Sequence, residues 1–130
     1  MKFEFQINEK LPSLNQYIDA CRRNPYAGKN MKAETDQLCF WYIKKAKPQK
    51  FKGMVHATFE WFESDKRRDP DNVSGYGHKT IFDALVKAGV LPDDSCDYVA
   101  GYNDIFHYKQ SKKTFVRVTL EEITPERGKE

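Results

Sequence analysis

The residues best suited to chemistry are two carboxylates, Asp69 and Asp71, separated by Pro70. Three cations precede them directly: Lys66, Arg67 and Arg68. In an extended backbone, side chains two residues apart point to the same side, and Pro70 favours an extended conformation at Asp69. Two like charges held together are costly unless a cation lies between them, and Mg²⁺ commonly takes one or two carboxylates with water and phosphate oxygens. The segment predicts a divalent-cation site beside which the three basic side chains hold a phosphate backbone. The alternative is a surface turn, which the same residue types favour.

A second acidic pair, Asp93-Asp94, follows the turn after the next predicted helix. If that turn packs beside the first pair, Asp94 completes a cluster of three carboxylates. Lys79, at the start of that helix, is placed to stabilise the charge that develops on a scissile phosphate. His78 is an alternative general base or metal ligand. The competing interpretation is that both are ordinary surface residues, the usual state of lysine.

These residues need a scaffold, and the hydrophobic pattern predicts seven elements in the order β-α-α-β-α-β-β. The predicted strands are 2–8, 54–63, 97–108 and 113–121, and the predicted helices are 13–23, 31–46 and 76–88. Phe62 is the one apolar residue on the outer face of the second strand. Residues 23–30 are predicted to form a loop, and 109–112 a hairpin turn. The order favours a single α+β domain with a mixed sheet over residues 1–123, followed by a flexible tail over 124–130.

Composition narrows the class of protein. The 130 residues carry 22 Lys and Arg against 19 Asp and Glu, a net charge of +3. Lysines crowd 44–52 and aspartates crowd 93–97, a segregation typical of nucleic-acid binding beside an acidic metal site, although a solvated charged surface would also produce it. Three cysteines without C-x-x-C spacing do not support a disulfide framework or a zinc knuckle. The absence of a signal peptide and of a membrane-length apolar run predicts a cytoplasmic protein without a membrane partner.

Four pieces of the sequence, taken in order, resemble the RusA-like family of Holliday junction resolvases. They are residues 68–72 (RDPDN), Lys79, residues 82–90 (FDALVKAGV) and Asp93-Asp94. The resemblance covers about 66–100 strongly. It is weaker over residues 12–15 (PSLN) and at Tyr26, Lys29 and Lys32. No P-loop, dinucleotide-binding motif or Ser-His-Asp order is present to indicate another reaction.

The resemblance implies a homodimeric, Mg²⁺-dependent endodeoxyribonuclease that cuts four-way DNA junctions symmetrically, with Mn²⁺ as a substitute ion. It assigns the metal ligands to Asp69, Asp71 and Asp94, with Asp93 as the alternative to Asp94, and the catalytic lysine to Lys79. Six residues separate Asn72 from Lys79, where some members have only a few, so His78 can share that role. The expected DNA-binding residues are Arg68, Arg67, Lys66, Lys29, Lys32 and Asn72, and residues 44–52 are expected to follow the phosphates.

Two other functions fit the same residues. One is a nuclease that cuts branched DNA more broadly, including flaps and forks. The other is a DNA-binding module that keeps the fold without catalysis. Cleavage of four-way, three-way and linear substrates separates the first, and Asp71→Asn separates the second. Whether one metal ion or two act, and which sequence is cut, are left open by the residues.

Overall fold

Alternating polar and apolar residues build a four-stranded mixed sheet, and three helices cover one of its faces. The computed structural model describes residues 1–123. Its elements are β1 (Lys2–Ile7), α1 (Leu14–Arg23), α2 (Ala27–Lys45), β2 (Val55–Glu63), α3 (Pro70–Lys87), β3 (Val99–Tyr108) and β4 (Phe115–Glu122). The predicted α+β class, the three helices and the order of elements are confirmed. The tail predicted for 124–130 lies outside the described residues.

The strand order in the sheet is β1-β4-β2-β3. β2 and β3 are parallel and are joined by α3, whereas β4 is antiparallel to both β1 and β2. A parallel pair requires a long crossover, and α3 supplies it. The chain direction therefore places the end of β2, the end of β3, the start of β4 and the start of α3 at the same end of the sheet, called here the Glu63 end. The start of β2 and the end of α3 lie at the opposite Val55 end.

The hairpin predicted between the last two strands is wrong. β3 and β4 both pair with β2 and not with each other, so residues 109–114 cross over the end of β2. The Lys109 backbone N–H donates to the Glu63 carbonyl at 2.8 Å, and Lys109 adopts a left-handed φ of 60°. A short polar connection is compatible with a hairpin or with a step across one strand, and local sequence does not distinguish them.

The core lies between the helices and one face of the sheet. Val55, Ala57, Phe59 and Trp61 alternate inward along β2, and apolar residues of α2 and α3 pack against them. The outer face carries Phe62, which stacks on His107 and on Phe115 with ring centroids 4.3 Å apart in both cases. This cross-strand stack accounts for the break in the alternation of β2.

Two helices begin earlier than predicted. α2 begins at Ala27 inside the predicted loop, and α3 begins at Pro70, six residues before its predicted start. Glycine weakens the helical signal of the first turns of α3. Gly77 is needed there because a Cβ atom would lie 2.5 Å from the Trp61 ring. None of the helices within residues 1–123 is long and apolar enough to cross a membrane.

Candidate active site

Asp69 and Asp71 lie at the start of α3. Asp69 is the N-cap residue, with extended backbone at φ −71° and ψ 158°, and its carbonyl accepts from the backbone N–H groups of Asn72 and Val73 at 3.0 Å. Pro70 occupies the first turn, where its fixed φ suits a helix. Asp71 is therefore helical, and the extended geometry predicted for the pair is wrong. The two Cα atoms are still only about 5 to 7 Å apart.

The Asp69 carboxylate makes no capping hydrogen bond. Aspartate at an N-cap position usually accepts from the second or third backbone N–H of its helix. Both Asp69 and Asp71 are exposed, and neither forms an ion pair with any residue that the structure describes. Asp71 accepts only the adjacent Asn72 N–H, at 3.0 Å. Two carboxylates with hard oxygen donors are thus available to a ligand at this helix start.

Asp94 is not beside them. Its carboxylate lies 3.5 Å from Lys79 Nζ, which also contacts Asp83 at 3.0 Å. Asp94 is therefore level with Asp83, about 20 Å along α3 from Asp69 at 1.5 Å per residue. Within residues 1–123, no three His, Cys, Asp or Glu residues are grouped to hold a metal ion. The expected cluster of three carboxylates does not form within one chain, because α3 separates its members and the turn after α3 packs at the Val55 end.

Lys79 and His78 are adjacent but face different surroundings. Hydrogen bonding to Asp83, with the charges of Asp83 and Asp94, raises the pKa of Lys79, so this lysine is a cation at neutral pH. His78 instead lies against the sheet, with its Nε2 atom 2.7 Å from Asp104 Oδ1. Trp61 Nε1–H donates to the same oxygen at 2.8 Å. Lys79 can stabilise an anion, whereas His78 ties α3 to β3, and the expectation that it shares the role of Lys79 stays a prediction.

Arg68 is a structural cation and not an exposed one. Its guanidinium donates to both oxygens of Glu63 at 2.9 and 2.8 Å and to the Leu11 carbonyl at 2.9 Å. The side chains of Arg68 and Glu63 are 11% and 4% exposed. Each nitrogen of Arg68 donates one hydrogen bond within the chain, so its first role is structural, and the expected contact with DNA stays a prediction. The ion pair fixes the segment directly before Asp69.

Tyr108 supports the same segment from β3. Its hydroxyl donates to the Arg68 carbonyl at 2.6 Å. Burial, together with the negative charges of Glu63, Asp69 and Asp71, raises the pKa of Tyr108, although Arg68 opposes this shift. Tyr108 also lines a cleft of about 220 Å³ beside Asp69, with Lys66, Arg68 and Pro70. The neutral phenol thus keeps its proton for the hydrogen bond to the Arg68 carbonyl, next to the candidate site.

The other predicted DNA-binding residues divide into two groups. The Asn72 Oδ1 atom accepts from the Asn15 backbone N–H at 2.9 Å, which joins α3 to α1. Lys32 lies between Asp36 and Asp83 at 2.6 and 2.8 Å, so its charge is already balanced. Lys29, Lys66 and Arg67 are exposed. Among the predicted residues, this second group has the most exposed side chains, and DNA contact by any of them stays a prediction.

Sequence reasoning missed Glu63, Tyr108 and Asp104. Glu63 carried a usable signal, because it occupies the inward phase of β2 after Val55, Ala57, Phe59 and Trp61, where a charge requires a partner. Tyr108 and Asp104 carried none, since their partners come from distant segments.

Comparison with known proteins gives no relative from which a function could be assigned, so any function has to be argued from the residues above. No protein-family model matches the chain, and no curated protein matches it.

Proposed function

We propose that this chain is a Mg²⁺-dependent endodeoxyribonuclease that resolves four-way DNA junctions by paired, symmetric phosphodiester hydrolysis. The observation that supports this most is the Asp69 carboxylate, which sits at an N-cap position without capping and has Asp71 two residues away. The Glu63–Arg68 pair and Tyr108 hold the backbone before it. A free acidic pair on a rigid base is what a hard cation requires.

Asp69 and Asp71 would hold the ion, and Mn²⁺ is expected to substitute because both cations favour oxygen ligands. When bound, the ion supplies activation of a water molecule and neutralisation of phosphate charge. Lys66 lines the cleft next to Asp69 and is placed to hold the phosphate. Lys79 remains cationic because of its acidic neighbours, and its role is to stabilise negative charge, not to remove a proton.

A second copy of the chain can bring Asp94 to the acidic pair. α3 has 18 residues and is therefore about 27 Å long. If two α3 helices pack antiparallel about a two-fold axis, the start of each lies beside the end of its partner. Asp69 and Asp71 of one copy then face Asp94 and Lys79 of the other. Such an isologous dimer has two equivalent sites, as two symmetric cuts demand.

Asp71→Asn tests the activity. With a synthetic four-way junction and Mg²⁺, we expect this variant to retain binding and to lose more than about 100-fold in cleavage rate. Mutating a residue that only hydrogen-bonds to a metal ligand already lowers activity by about 10- to 100-fold, and losing a ligand itself should cost more. Asp65→Asn is the matched control, since Asp65 is in the same connection and its carboxylate contacts only Arg67, through a 3.8 Å ion pair and a 2.9 Å hydrogen bond from the Arg67 backbone N–H. It should cleave like the wild type. Equal cleavage by both variants would refute the assignment.

One observation favours a second candidate, a DNA-binding module without catalysis. A single chain does not assemble three acidic ligands within the described residues. That module would bind the junction and leave it uncut with either Mg²⁺ or Mn²⁺, whatever residue stands at 71. A broader branched-DNA nuclease would instead cut three-way and flap substrates as fast as four-way junctions.

A further inference from the structure

The connection formed by residues 109–114 lies at the Glu63 end of the sheet, as do Asp69 and Asp71. It crosses the end of β2 directly in front of the segment that leads to α3. Tyr108 lines the cleft beside Asp69, and Lys109 is the next residue in the chain. The acidic pair and this connection therefore lie at the same end of the sheet, and no part of the proposed function uses the connection.

This surface is strongly basic. Lys109, Lys112 and Lys113 are all exposed, and none forms an ion pair with a residue of the 1–123 region. A cleft of about 570 Å³ adjoins Lys112 and Lys113. It is lined by Gln6, Asn8, Ser111, Lys112, Lys113, Thr114 and Phe115. That lining has amide, hydroxyl and ammonium donors and no carboxylate, a combination suited to phosphate oxygens.

The connection is held in place by its own contacts. The Lys109 N–H donates to the Glu63 carbonyl at 2.8 Å, and the Ser64 N–H donates to Thr114 Oγ1 at 3.2 Å. The Lys113 N–H donates to Ser111 Oγ at 3.2 Å. Below it, Phe115 stacks on Phe62. The backbone is thus fixed before a ligand binds, which lowers the entropy lost on binding.

We propose that the 109–114 connection is a binding site for the phosphate backbone of one duplex arm of branched DNA. The proposal rests on the proposed nuclease function and adds the element that holds the arm beside Asp69 and Asp71. Lysines without carboxylate partners bind a repeating anion by releasing its counterions, without reading its sequence. The binding is selective for position and charge and indifferent to base identity.

The test compares two triple variants that lose the same charge. One is Lys109→Ala/Lys112→Ala/Lys113→Ala. The control is Lys2→Ala/Arg22→Ala/Arg23→Ala, which changes exposed cations on β1 and at the end of α1. Kd for a four-way junction is measured in EDTA at several salt concentrations. The plot of log K against log salt has a negative slope, and each lost phosphate contact reduces the magnitude of that slope by about 0.9. The first variant should therefore have a slope smaller in magnitude by about 2 to 3 and bind more than about 10-fold more weakly.

The control should keep the wild-type slope, and thermal melts establish that both variants fold. Equal weakening in the two variants, or wild-type binding by the first, would overturn the inference. Because EDTA prevents cleavage, the binding comparison does not depend on catalysis. If the wild type binds the junction but never cuts it with Mg²⁺, the nuclease proposal is refuted, whereas the salt dependence of the two variants still tests the role of the lysines. If these lysines bind anionic phospholipid vesicles and not DNA, the surface has another partner and the inference is wrong.

Discussion

Glu63 is a carboxylate at a position that the alternation of β2 gives to core residues, and Arg68 makes its burial tolerable. The pair is nearly inaccessible, with both carboxylate oxygens and three guanidinium nitrogens bonded. Sequence alone presented Arg68 as one of three consecutive cations next to an acidic pair. The alternation of the predicted strand 54–63 indicates that Glu63 needs a partner, but no local pattern shows that Arg68 is the cation that turns inward to meet it.

Glu63→Ala should therefore destabilise the protein strongly. It leaves the Arg68 guanidinium buried without its carboxylate, and breaking such a pair typically costs about 3 to 5 kcal/mol. Asp65→Ala, two residues on, removes an exposed ion pair and one hydrogen bond from the Arg67 backbone N–H, and should cost only about 1 kcal/mol. The measurement is the free energy of unfolding in urea. Losses of similar size in the two variants would show that the buried pair contributes no more than a surface one.

α3 is the element on which the candidate site depends. Its start positions Asp69 and Asp71, and its middle carries Asp83, which accepts from Lys32 of α2 and contacts Lys79. Burial alone would raise the pKa of Asp83, but hydrogen bonds from Lys32 and Lys79 outweigh it and lower the pKa below its usual range. The charge of Asp83 therefore stabilises the contact between α2 and α3.

Asp83→Asn should weaken the fold in a pH-dependent way. A carboxylate whose pKa is lower in the folded state stabilises that state above its unfolded pKa of about 4, and the contribution disappears as pH falls through the folded pKa. We expect a loss of about 1 kcal/mol near pH 7, because the group is partly screened by solvent, and a progressively smaller loss as the pH falls below the unfolded pKa. Urea unfolding across this range measures it, with the exposed Asp97→Asn as control. A constant difference from pH 7 to pH 3 would contradict the ion-pair explanation.

At the scale of the whole molecule, the separation of Asp94 from Asp69 predicts a composite site across two chains. Asp71→Asn and Asp94→Asn should each be inactive alone. A mixed dimer places both changes in one site and leaves the other site intact, so mixing the variants after unfolding and refolding should restore single nicks in the junction. If each site belonged to one chain, both sites of the mixed dimer would be defective, and no activity would return. Size-exclusion chromatography of the mixture checks that dimers form.

The sequence predicted the order of the elements because periodicity is local, and β1 and β2 each show a clear alternation of buried apolar residues. It could not predict that β4 lies between β1 and β2, since pairing between strands so far apart leaves no local pattern. The site follows the same division. Asp69 and Asp71 are close in sequence and are therefore close in the structure. The distance of Asp94 from them depends on where α3 begins, and Gly75 and Gly77 made the first turns of this helix hard to recognise from the sequence.

The pairing of β1 with β4 has a consequence for synthesis of the protein. Lys2 pairs with Glu121, so during synthesis β1 has to wait until β4 has also been made. The β2-α3-β3 unit can assemble in the nascent chain, but Phe3, Phe5 and Ile7 have no β-partner until β4 has emerged. Pairings across such long sequence separations form slowly, and exposed apolar strands aggregate meanwhile. The vulnerable period in the synthesis of this domain is therefore the interval between the emergence of β1 and that of β4.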